Sequence, residues 1–119
     1  MIFRIEPVAK PRMTQSDRWK RRPAVLRYRA FCDALRLQAQ QEGFALGDRV
    51  SVSFSVPMPV SWSKKKKLEM NGAPCQSKPD LDNLCKSVLD ALMAEDKTVW
   101  KLQAEKRWSI TGMIEILNL

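Results

Sequence analysis

Two periods alternate along the chain, and each change of period marks a new element. Ile2 to Val8 opens as a short strand, apolar at Ile2 or Phe3 and at Ile5, and Pro7 marks its end because proline cannot donate to a ladder. From Ala24 to Gly43 the spacing becomes helical: Tyr28, Phe31, Cys32, Leu35 and Ala39 share one face, Pro23 suits the start and Gly43 suits the C-terminal cap. Val50 to Met58 alternates apolar residues with serine, the period of a strand with one packed face and one wet face. Pro57 ends that strand or places its last part at a sheet edge. Ser61 then caps a short helix from Trp62 to Met70, which Asn71-Gly72 stops.

The next helix is the most strongly patterned. Pro79 disfavours helical geometry at Lys78, and Asp80 to Asp82 supply the short acceptor side chains that a helix start prefers. Leu81, Leu84, Cys85, Val88 and Leu92 then form one apolar stripe, while Asp82, Lys86 and Asp90 follow at i, i+4 and i+8 on a different face. Ala94 to Lys97 is a short turn, Val99 to Trp108 a strand, and Gly112 turns the chain into a last strand from Met113 to Leu117. The order β-α-β-α-α-β-β predicts an α+β fold: a single mixed β-sheet with helices packed mainly on one face, forming one domain over residues 1–119.

Composition narrows the chemistry. No apolar run approaches the roughly 20 residues that span a bilayer, and the N-terminus has no apolar signal region, so a cytoplasmic protein without a membrane partner is expected. The three cysteines, Cys32, Cys75 and Cys85, show no C-x-x-C spacing, and with no histidine in the chain neither structural zinc nor a disulfide framework is expected. Lys plus Arg number 21 against 13 Asp plus Glu, a net charge of +8, which points to a polyanionic partner, nucleic acid first. The bases are clustered. Lys10, Arg12, Arg18, Lys20, Arg21 and Arg22 lie with Trp19 in a proline-bracketed segment lacking either period, and Lys64, Lys65, Lys66 and Lys67 are consecutive. Both clusters read as phosphate-contacting surfaces or as solvated faces.

Without histidine, Ser-His-Asp, Cys-His and His-metal chemistries are closed to this chain. Phosphodiester cleavage would then fall to carboxylate-bound metal. The Asp80-Leu81-Asp82 pair offers hard oxygen ligands of the kind Mg²⁺ takes beside substrate phosphate oxygens. The same pair is also what a helix start requires for capping, with Lys86 as an ordinary i,i+4 partner, and spacing alone leaves both readings open.

The run Lys78-Pro79-Asp80-Leu81-Asp82-Asn83-Leu84-Cys85-Lys86 resembles the RusA-type Holliday-junction resolvases of bacteria and their phages, matching the family's basic residue, its D-L-D-N-L motif and its lysine. The likeness extends to Leu89-Asp90-Ala91-Leu92, Glu95-Asp96, Lys106, Val8-Ala9-Lys10-Pro11-Arg12 and Ser61-Trp62-Ser63, the last two being similar to phage or prophage members. The resemblance implies that Asp80, Asp82 and Asp96 bind Mg²⁺, with Mn²⁺ as a substitute, and that Lys86 supports cleavage; Glu95 is an alternative oxygen donor beside Asp96. It implies a homodimer that nicks opposed strands of branched DNA, a four-way junction, in recombination and repair, with no small-molecule substrate. Lys10, Arg12, Arg18, Lys20, Arg21, Arg22, Lys64 to Lys67, Lys78 and Lys106 would hold the DNA backbone. The rival expectations are a non-catalytic basic nucleic-acid-binding module, in which the aspartates only cap a helix, and a structural protein with a basic surface.

Overall fold

The structure is a computed structural model and describes residues 1–12, 22–93 and 96–119, residue 96 as backbone only. Its elements are β1 (Ile2–Phe3), α1 (Pro23–Glu42), β2 (Arg49–Pro57), α2 (Lys64–Met70), α3 (Leu81–Leu92), a 3₁₀ turn (Asp96–Thr98), β3 (Lys101–Ser109) and β4 (Met113–Asn118). The strands form one mixed sheet in the order β1-β4-β2-β3, with β2 parallel to β3 and antiparallel to β4. This is the α+β fold expected from the order of periods.

The alternation in β2 sets the layers. Val50, Val52, Phe54 and Val56 are buried, and the intervening Ser51, Ser53 and Ser55 are not. Register places Phe54 beside Ile114 and Val52 beside Ile116, so β4 adds its branched side chains to the same face. Tyr28, Phe31, Cys32, Leu35 and Ala39 of α1 and Leu84, Cys85, Val88 and Ala91 of α3 close over that face to form the main core. Leu81 and Leu92, expected in the α3 stripe, are only half-buried, whereas Ser87 is fully buried and satisfied by donating its hydroxyl to the Leu84 carbonyl at 2.7 Å. A second, smaller core joins Val56, Met58, Cys75 and Trp108 at one end of the sheet.

Several boundaries differ from expectation for tertiary reasons. β1 stops at Phe3 rather than reaching Val8, because it pairs antiparallel with β4, whose first residue is Met113. The chain then crosses Gly112, where a Cβ would lie 2.6 Å from the Glu6 Cα. The helix cap is Ser63, not Ser61: its hydroxyl accepts from the Lys66 amide at 3.1 Å, and α2 starts at Lys64. Trp62 is held out of the helix because its ring packs edge-on against Trp108 at 5.0 Å, with the Lys66 ammonium 4.2 Å from the Trp62 ring. β3 begins at Lys101, where its pairing with Arg49 starts; the Trp100 amide before it bonds to the Asp48 carbonyl instead. Gly43 closes α1 in the left-handed region at φ 64°, and the Phe44 amide bonds back to the Ala39 carbonyl at 2.8 Å. No helix among the described residues is long and apolar enough to cross a membrane.

Candidate active site

The segment that delivers the acidic motif is fastened to the edge of the sheet. The amides of Gly72 and Cys75 bond to the carbonyls of Trp108 and Lys106 on β3, and Arg107 donates a guanidinium N–H to the Gly72 carbonyl at 3.0 Å. Further along, Lys106 Nζ donates to the carbonyl oxygens of both Ser77 and Pro79. The Lys78–Pro79 peptide bond is cis. Sheet, loop and helix start are thereby joined immediately before Asp80.

Asp80 is the N-cap residue of α3, and its backbone carbonyl accepts the first helical bond, from the Leu84 amide at 3.1 Å. Its side chain makes no capping hydrogen bond and is exposed. Asp82 is also exposed and, through Oδ1, accepts from the adjacent Asn83 amide at 2.9 Å. Asp80 thus sits at a helix start without the capping bond that most often places an acid there, whereas Asp82 satisfies a first-turn amide. Lys86 lies exposed one turn beyond Asp82 on the same helix face.

Asp90, a turn further along, is half-buried and engaged. Its Oδ2 accepts from the Tyr28 hydroxyl at 2.7 Å and from Lys10 Nζ at 2.6 Å, and the Lys10 amide donates to the Asn83 carbonyl at 3.1 Å. Burial pushes the Asp90 carboxyl up, but the hydrogen bonds from Lys10 and Tyr28 and the positive charges of Lys10 and Arg36 outweigh it, so its pKa is lowered. Burial, and then the hydrogen bond to Asp90, pushes the Tyr28 phenol far up, so Tyr28 is a permanent donor. Burial likewise pushes up the thiols of Cys32 and Cys85, which are free cysteines of the core. Arg36 of α1 donates to the Ala91 carbonyl at 2.8 Å and closes the far end of α3.

The residues expected at a site thus fall into three groups. Asp80, Asp82, Lys86 and Lys78 are exposed around the first turns of α3, while Lys64, Lys65 and Lys66 are exposed and Lys67 half-buried on α2. Lys10 and Lys106 approach the same helix but are bonded inside the protein, and Arg22 donates to the Arg12 carbonyl at 2.8 Å. Arg18, Lys20, Arg21, Trp19, Glu95 and the side chain of Asp96 lie outside the described residues. Sequence spacing does not mark Tyr28 and Arg36 as partners of α3, since the first fits the α1 core stripe and the second lies off it. The available signal was a polar-tipped residue in an apolar stripe, since a buried tyrosine hydroxyl needs a partner.

Among the described residues no three acidic, cysteine or histidine side chains converge on a metal position. Asp80 and Asp82, at the N-cap and in the first turn of α3, are both exposed carboxylates, hard oxygen donors of the kind Mg²⁺ takes. The donor set fits a magnesium ion, with Asp96 in the 3₁₀ turn as the remaining candidate ligand.

The family model of the endodeoxyribonuclease RusA matches residues 4–117. The chain belongs to the RusA family. Membership indicates endodeoxyribonuclease activity on Holliday junctions. The match takes in every element from α1 to β3, and therefore the whole of the RusA-like motif that begins at Lys78. No individual curated protein matches the chain.

Proposed function

We propose that this RusA-family chain is a Mg²⁺-dependent, structure-selective endonuclease that acts as a homodimer and resolves four-way DNA junctions by paired nicks. The observation that supports this best is the exposed Asp80 carboxylate, which stands at an N-cap without capping, beside exposed Asp82 and Lys86.

In this reading Asp80, Asp82 and Asp96 hold the ion, which, when bound, supplies Lewis-acid polarisation of the phosphate and a hydroxide-like water at neutral pH. Lys86 neutralises the charge that builds on the scissile phosphate in the transition state. The Lys106 bonds to Ser77 and Pro79 hold the loop, and hence Asp80, in register with the sheet. Lys78 and the lysines of α2 engage the sugar-phosphate backbone, which fixes the junction without reading sequence. Two copies related by a two-fold axis would present two such sites to opposed strands, the arrangement that paired nicks require.

Cleavage of a four-way junction beside a linear duplex of the same sequence, with and without Mg²⁺, tests the proposal. Metal-dependent nicking confined to the junction is expected. Tight binding with no cleavage in Mg²⁺ or Mn²⁺ would leave a binding module.

A further inference from the structure

α3 carries three acids that are candidates for chemistry by position, yet Asp90 is occupied by protein donors in a way that Asp80 and Asp82 are not. Its Oδ2 accepts from Tyr28 of α1 and from Lys10 of the segment preceding α1, and Lys10 also donates its backbone amide to the Asn83 carbonyl. Lys10 therefore grips α3 at Asn83 and at Asp90, residues two turns apart on the helix. Tyr28 is only 6% exposed, so core packing fixes the position from which its hydroxyl donates. A carboxylate neutralised by Lys10 and hydrogen-bonded by a phenol that stays protonated is a poor ligand for a cation and a good anchor for a chain segment.

We infer that Asp90 is a positioning residue: it gathers Lys10 and Tyr28 into a brace that fixes the Val8–Arg12 segment on α3 and, through the Lys10 amide, fixes the turn that carries Asp82. Asn83, the residue held by Lys10, directly follows Asp82 and donates its own amide to the Asp82 carboxylate. Loss of the brace frees that turn on one side, and a catalytic group displaced by about 1 Å can cost about 100-fold in rate. As a statement about cleavage this rests on the nuclease reading above; as a statement about structure it stands on the contacts alone.

Asp90→Asn tests it, because the amide keeps the shape and can accept from Tyr28 but carries no charge to hold Lys10. Lys10→Met, Tyr28→Phe and the Lys10→Met/Asp90→Asn pair complete the set. Single-turnover cleavage of a saturating four-way junction in Asp90→Asn should fall by about tenfold or more, and junction affinity measured without metal should stay within about twofold, because Asp90 does not face the DNA as a free charge. The double variant should cleave no more slowly than the worse single one, since members of one unit are not additive. Amide hydrogen exchange, which needs no activity, should quicken by about tenfold at Lys10 and in the first turn of α3 and remain unchanged in β2. Unchanged exchange at these amides, or a wild-type cleavage rate in Asp90→Asn, would overturn the brace. A wild-type protein that cleaves no junction in Mg²⁺ would overturn the nuclease reading instead, and exchange would then decide the brace by itself.

Discussion

Lys106 Nζ donates a 2.7 Å hydrogen bond to the carbonyl oxygen of Pro79, so a side chain of the sheet holds the backbone immediately ahead of Asp80. Lys106 lies opposite Phe54 in register, on the helix-covered face, and this is why it points at the loop rather than away from the protein. A basic residue that sequence alone assigns to phosphate is thereby a structural tie for the metal-binding loop of the proposed site.

Lys106→Met separates the two roles. Loss of the charged bonds to Ser77 and Pro79 should cost about 1 to 3 kcal/mol in denaturant unfolding, and cleavage should fall further than binding. The dependence of log K on log salt should keep its slope; a slope smaller by about one would instead make Lys106 a phosphate contact.

How far the sequence could be read depended on the range of the interaction. Elements defined by their own period, such as the α3 helix and the Val-Ser alternation of β2, were legible because the pattern and the packed face are the same fact. The start of α2 was not, because the packing of Trp62 on Trp108, a contact distant in sequence, moves the cap from Ser61 to Ser63. The early stop of β1 was also out of reach, since it depends on where β4 begins. At the site the acidic motif was visible as a motif, but Tyr28 and Lys106, which bond Asp90 and Pro79, lie far away in sequence, and no local period says which groups they meet.

Gly112→Ala should destabilise the fold. The added Cβ would meet the Glu6 Cα at 2.6 Å, which is backbone and cannot swing aside. A loss of about 1 to 3 kcal/mol is expected from such overpacking, read as a lower denaturant midpoint with little change in the slope m. An unchanged midpoint would mean that the Ile5–Val8 segment yields freely.

The acid limb of stability should depend on Asp90. Its folded pKa is lowered, so the stability it contributes is fully present above the ordinary value of 3.8 and is lost as pH falls below that value and through the folded one. The groups facing it are Lys10, Arg36, Tyr28 and Cys32. Asp90→Asn should therefore flatten the fall in unfolding free energy below about pH 4 relative to wild type. Parallel curves for the two proteins would contradict the ion pair with Lys10.

The sharpest comparison sets Asp80→Ala and Asp82→Asn side by side. A side chain that caps a helix through its oxygen costs about 0.5 to 2 kcal/mol when truncated. Asp80 makes no such bond, so Asp80→Ala should change stability by less than about 1 kcal/mol, the range left to the helix dipole. Asp82→Asn keeps an oxygen able to accept from the Asn83 amide, and the fold should be equally indifferent to it. Activity should not be. If the two carboxylates hold Mg²⁺, each variant removes a hard anionic donor, and single-turnover junction cleavage should fall by at least about 100-fold, a barrier rise of about 2.7 kcal/mol. Junction binding should persist or tighten, because an acid facing phosphate has been neutralised. Stable, folded variants that cleave at the wild-type rate with the wild-type Mg²⁺ dependence would show that the acids at the start of α3 do not serve the reaction, and the site would have to be sought elsewhere on the chain.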